Sequence, residues 1–99
     1  GRATIVHTDI KPEQIIYSPK EGRFKLTDFN RCRFLTWNNE KNEVCPFKIR
    51  WNGGKYRSPE EYKHEPETEK IDVYMVGSIM YTILTRQWPF EKEEYWEAA

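Results

Sequence analysis

The sequence predicts an α+β chain whose β part is one small hairpin and whose α part centres on a densely apolar helix. Three observations carry that expectation. Two short β-prone runs flank a turn rich in Pro and Gly, a long aperiodic stretch ends on a helix-start signal, and a late apolar run is too long for a strand.

The β-prone runs are residues 14–17 and 24–27, and Ser18-Pro19-Lys20-Glu21-Gly22 between them supplies the backbone angles of a hairpin connection. Residues 30–57 sustain neither period and contain Asn38-Asn39 and Asn52-Gly53-Gly54, so a long irregular loop is expected. Loops of that length in compact domains are functional or mobile. At Ser58-Pro59-Glu60-Glu61 the start signals coincide: Ser as N-cap, Pro at the first helical position and Glu61 placed for a capping box. Over 71–84 the apolar residues wrap nearly the whole circumference of a helix, which is therefore expected to be buried on most sides. Trp88-Pro89-Phe90 closes it, since Pro89 disfavours helical angles at Trp88, and the tail from Glu91 reads as the first turns of another helix.

Ninety-nine residues make one small domain, and 32% charged residues is polar for a domain that folds by itself, which points to a piece of something larger. The formal net charge is zero but unevenly spread: residues 23–57 hold nine Lys or Arg against three Asp or Glu, and residues 58–99 hold four against ten. A basic stretch with interleaved aromatics is one signature of nucleic-acid binding, yet a solvated loop fits the neutral total better, and no nucleic-acid partner is expected. Cys32 and Cys45 form no CxxC pair and give no zinc spacing with His7 and His64, so they read as free thiols. No secretory signal pattern opens the chain, and the uncharged run 73–85 is far short of the ~20 residues of a membrane span. An intracellular, cytoplasmic protein with no membrane partner is expected, its oligomeric state open.

His7-Thr8-Asp9 alone is unremarkable, because an acid after a His more often caps a turn than catalyses. Its neighbours change that reading. Asp9 is followed by Lys11 and Gln14 just before one strand, and Asp28-Phe29-Asn30 follows the partner strand, so the hairpin would bring Asp9, Lys11, Gln14 and Asp28 together. Phosphoryl transfer needs such a set: a carboxylate for the attacking hydroxyl, a fixed cation for the phosphate and oxygen ligands for magnesium.

His7-Thr8-Asp9-Ile10-Lys11-Pro12-Glu13-Gln14 resembles the protein-kinase catalytic loop HRDLKPEN, and Asp28-Phe29-Asn30 resembles DFG. Tyr56-Arg57-Ser58-Pro59-Glu60 is similar to YRAPE at the end of the activation segment, and Asp72-Val73-Tyr74-Met75-Val76-Gly77 to DVWSLG of the central helix. The resemblance implies a protein-kinase-like fold, with this chain part of the mainly helical C-terminal lobe: catalytic loop 5–14, hairpin and metal-binding motif 14–30, activation segment 28–60 and buried helix 70–85. A Lys two residues after the catalytic Asp is the serine/threonine pattern, which implies a protein substrate with ATP and magnesium as cofactors. By the same resemblance Asp9 is the catalytic base or hydroxyl orienter, Lys11 the phosphate contact, Gln14 the second metal ligand and Asp28 the principal one. Asp72 would tie the central helix to the catalytic loop, and Glu60 would pair with an arginine outside these residues.

The chain departs from the pattern at three of these positions. Gln14 stands for Asn, and its extra methylene must be absorbed in a near-octahedral magnesium site, so manganese could be accepted more readily. Asn30 stands for Gly, and Asn tolerates the left-handed angles expected there. Thr8 stands for the arginine that pairs with a phosphorylated activation loop in many kinases, so switching by that route is not expected. No glycine-rich phosphate loop, small-lobe lysine or partner glutamate is present, and this polypeptide by itself is expected to be inactive. The favoured reading of the parent protein is an active serine/threonine kinase; a pseudokinase scaffold and a small-molecule phosphotransferase are the alternatives.

Overall fold

The structure, a computed structural model, describes residues 2, 4–49 and 56–87. Strand β1 (Ile5–Val6) runs through residues 7–11 into a single 3-10 turn, Pro12–Gln14. Lys11 is extended, at φ −155 and ψ 164, as the residue before a proline should be. The Gln14 amide donates to the Lys11 carbonyl at 2.9 Å, and the chain leaves this turn directly into the hairpin.

The hairpin pairs β2 (Ile15–Ser18) with β3 (Arg23–Leu26), in the register Ile15 to Leu26 and Ser18 to Arg23. Its turn closes through Gly22, whose amide donates to the Ser18 carbonyl at 2.8 Å and whose φ of 63 is a left-handed angle that glycine adopts without strain. The segment expected to be wholly irregular instead carries three short strands. β4 (Arg33–Phe34) pairs antiparallel with β1, and β5 (Trp37–Asn38) pairs with β6 (Glu43–Val44) across a turn in which Asn38 Oδ1 accepts the amides of Glu40 and Lys41. Two-residue strands are too short to leave a period in a sequence. Phe47 and Glu67 then exchange backbone hydrogen bonds of 2.9 and 2.7 Å, fastening the loop to the approach of the last helix.

Helix α1 (Pro59–Tyr62) starts where its cap signals place it, with the Ser58 amide donating to Glu61 Oε2 at 2.9 Å. Helix α2 (Lys70–Thr85) ends on Arg86, left-handed at φ 60, whose amide donates to the Thr82 carbonyl. The core lies beside the segment that carries Asp9, where Ile10, Tyr56, Met75 and Ile79 pack together with Ile15 against them. Tyr56 also donates its hydroxyl to Thr82 Oγ1 at 3.1 Å, because Thr82 spends its own proton on the Ser78 carbonyl.

Helix α2 is buried along Ile71, Met75, Ser78 and Ile79 only, while Val73, Met80, Ile83 and Leu84 are exposed, Leu84 to 80%. The circumferential apolar pattern is present, but within the described residues one stripe of it is covered. The features read at Asn52-Gly53-Gly54, at Trp88-Pro89-Phe90 and in the tail from Glu91 lie outside the described residues.

An exposed Leu or Ile forgoes ~1.5 to 3 kcal/mol relative to burial, and a small domain has only ~5 to 15 kcal/mol of net stability. The 99-residue chain made by itself is therefore expected to self-associate or stay loosely packed. A sharp thermal transition with dispersed amide resonances and a monomeric mass would contradict this.

Candidate active site

The geometry around Asp9 begins 63 positions further along the chain. The carboxylate of Asp72, in the first turn of α2, accepts the His7 amide at 2.7 Å on Oδ2 and the Thr8 amide at 2.9 Å on Oδ1. Thr8 is fully buried and left-handed at φ 72, a strained conformation for a β-branched residue. Its hydroxyl donates to the Arg31 carbonyl at 2.9 Å, tying the loop after Asp28 to the same point. His7 is fixed from both sides of its ring. Nε2 donates to the Thr27 carbonyl at 2.9 Å, so Nδ1 is the acceptor of the Asp9 amide at 3.1 Å, and Phe29 packs edge-on at 4.9 Å.

The structure brings together the four residues singled out in the sequence. Gln14 Nε2 lies 3.1 Å from Asp9 Oδ2 and 3.0 Å from Asp28 Oδ2, and Lys11 Nζ is 3.9 Å from Asp9 Oδ2. Asp9 and Gln14 are buried, Lys11 is half-buried and Asp28 is exposed. The hairpin does this work: Thr27 donates its amide and its hydroxyl to the Gln14 carbonyl, at 2.7 and 3.0 Å, bringing the entry of β2 beside the exit of β3.

Two details differ from expectation. Gln14 turns its nitrogen, not its oxygen, toward the carboxylates, since two anionic acceptors call for the donor end of the amide. The left-handed residue of Asp28-Phe29-Asn30 is Asp28 itself, at φ 58, rather than Asn30. Asp also tolerates this region, and the angle directs the Asp28 side chain back to Gln14.

Arg57 was not singled out in the sequence. It is 5% exposed, forms an ion pair with Asp9 Oδ1, donates to the Thr8 carbonyl at 2.6 Å and lies 3.5 Å from Glu61 Oε1. A cation directly before a helix cap was the available signal, but its acid lies 48 positions away and no local pattern names it. The buried acid of the segment end is Glu61, whose Oε2 takes both the amide and the hydroxyl of Ser58; Glu60 is half-buried. A cavity of about 580 Å³ between β5, β6 and the start of α2 is lined by none of the four expected residues.

Of the groups at the site, the Asp28 carboxylate suits a hard cation as it stands. Magnesium is commonly held by one or two carboxylates, with water and substrate phosphate completing its shell. Asp28 fits that use, being exposed and carrying on Oδ1 a long 3.5 Å contact from the Asn30 amide. Gln14 fits only after a half-turn of its amide.

Comparison with known proteins identifies the family. The protein kinase domain family matches residues 2–98, and the chain belongs to the protein kinase family. It is 30% identical over 91 residues to the serine/threonine-protein kinase H1 homolog of Danio rerio, covering 90% of this chain and 21% of that one. It is 32% identical over 93 residues to the serine/threonine-protein kinase mos of Xenopus laevis, covering 90% of this chain and 26% of that one. The granulovirus kinase PK-1 of Cydia pomonella superposes with a TM-score of 0.67 at 29% identity, over 89% of this chain and 30% of that chain. The chain thus spans about a fifth to a quarter of the length of these curated relatives. Among the described residues no helix is long and apolar enough to cross a membrane.

Burial pushes the carboxyls of Glu61 and Glu67 above their ordinary value of 4.5, against hydrogen bonds from the Ser58 and Ile49 amides that pull them down. At both groups the folded state holds its proton more tightly than the unfolded chain, so the stability these two carboxyls contribute is fully present below 4.5 and is lost as pH rises through the raised folded values. Replacing Glu67 with Gln in the full-length protein is expected to flatten that fall. Melting temperatures across the window check it, and an unchanged difference between acid and neutral pH would count against a raised Glu67.

Proposed function

We propose that the protein carrying this chain transfers the γ-phosphate of ATP to a serine or threonine hydroxyl of a protein substrate. The observation that carries the reading is the convergence of Lys11, Gln14 and Asp28 on the buried Asp9 carboxylate, within a chain of this family. Asp9 orients the attacking hydroxyl and accepts its proton, and Lys11, half-buried at the rim, contacts the phosphate in transfer. Asp28 is the principal ligand for magnesium and Gln14 a second one through a turned amide. Magnesium, when bound, neutralises charge on the phosphate oxygens. The buried His7 and Thr8 keep the loop in the shape that presents Asp9.

Asp9→Asn in the full-length protein is expected to lower phosphate transfer by ~10²- to 10⁴-fold while nucleotide affinity stays near wild type. Asp28→Ala should abolish the rise in melting temperature produced by magnesium-ATP. Undiminished turnover in the first variant, or an undiminished thermal shift in the second, would remove the role given to that residue.

A second reading, a pseudokinase that binds partners without turnover, is favoured by one observation: the Gln14 nitrogen already bridges Asp9 and Asp28. Gln14→Asn separates the two. A shorter amide is expected to preserve or raise magnesium-supported activity and to reduce any preference for manganese. Complete loss of activity in Gln14→Asn would show that the loop is built around glutamine's reach.

A further inference from the structure

A guanidinium is ionised at all working pH values, and burying one is costly unless good acceptors meet it. Arg57 meets three: the Thr8 carbonyl at 2.6 Å, Asp9 Oδ1 in an ion pair, and Glu61 Oε1 at 3.5 Å. Glu61 is held in turn through Oε2 by the Ser58 amide and hydroxyl, at 2.9 and 3.2 Å. The guanidinium is therefore gripped at both ends, by the cap of α1 on one side and the catalytic loop on the other.

The two oxygens of Asp9 are divided by this arrangement. Oδ1 belongs to Arg57, while Oδ2 faces Gln14 Nε2 at 3.1 Å and Lys11 Nζ at 3.9 Å. A planar fork bonded at once to a backbone carbonyl and to one carboxylate oxygen leaves that carboxylate little freedom to rotate. We propose that Arg57 is a positioning residue for Asp9: by holding Oδ1 it sets the plane of the carboxylate and keeps Oδ2 on the side of Lys11 and Gln14, where the substrate hydroxyl is received. The proposal rests on the reading of Asp9 as the hydroxyl orienter. It also couples the end of the segment before α1 to the reacting carboxylate, so displacement of that segment would release Asp9.

The test uses the full-length protein with Arg57→Lys and Arg57→Ala. Lysine keeps the charge but cannot reproduce the fork, so kcat is expected to fall about tenfold, and about a hundredfold in the alanine variant, with KM for ATP nearly unchanged. Added guanidinium is expected to restore part of kcat in Arg57→Ala. A kcat within twofold of wild type in Arg57→Lys, or a loss confined to KM, would overturn the proposal, as would a folded Arg57→Ala that guanidinium does not rescue. Because Arg57→Ala leaves Asp9 and Glu61 without their cation, Arg57→Lys alone decides if the alanine variant does not fold. Should the wild type transfer no phosphate, the kinase reading fails separately, and nitrogen-15 spectra then decide on the inference. Slowly rotating Nη groups of Arg57, freed by Asp9→Asn, are expected; freely rotating ones in the wild type would overturn it.

Discussion

The carboxylate of Asp72 accepts two consecutive backbone amides, those of His7 and Thr8, and the rest of the site follows from that pair of bonds. A β-branched residue at φ 72 costs on the order of 1 to 3 kcal/mol and persists only where its surroundings over-determine it. Here the Asp72 carboxylate accepts the Thr8 amide, Arg57 donates to its carbonyl and the Arg31 backbone carbonyl accepts the hydrogen bond of its hydroxyl. With Thr8 fixed, the chain turns so that the Asp9 amide meets His7 Nδ1 and the Asp9 side chain faces Arg57, Gln14 and Lys11. The aspartate that organises the loop need not touch substrate to do so.

The polar network rests on a small apolar base. Ile10 follows Asp9 directly and packs with Tyr56, Met75 and Ile79, while Tyr56 immediately precedes Arg57. Each side of the Asp9–Arg57 ion pair is thus anchored by an adjacent hydrophobic residue in the same cluster, so the pair is positioned by core packing as well as by charge. Among the described residues, buried polar side chains outnumber buried hydrophobic ones, nine to six. Specific bonds rather than apolar area alone hold the described part together, and a buried network of this kind is sensitive to losing any one member.

The features legible in the sequence were those with local chemistry. Gly22 and the flanking β-prone runs announced the hairpin, Ser58 and Pro59 announced α1, and the motif around Asp9 with Asp28 just after the far strand announced the cluster. Helix α2 was legible in extent but not in burial, because periodicity reports what a helix could cover and not what lies against it. Strands β4, β5 and β6 span two residues each, below the length at which a period exists. The direction of the Gln14 amide and the placing of left-handed backbone at Asp28 depend on which acceptors converge in space, and Arg57 depends on an acid from a distant loop. Such information resides in the assembled fold.

The separation between partners also bears on how the protein is made. The hairpin and the cap of α1 close between residues a few positions apart, whereas Asp72 reaches back 65 and 64 positions to His7 and Thr8, and Arg57 49 to Thr8. Loop-closure entropy makes such long-range bonds costlier to form than the local ones. A growing chain on the ribosome therefore presents Asp9 well before the residues that give it shape have been added, and its carboxylate acquires this geometry only once the first turn of α2 has emerged. Until then Asp9 lacks both Arg57, its ion-pair partner, and Asp72, which holds the two residues before it.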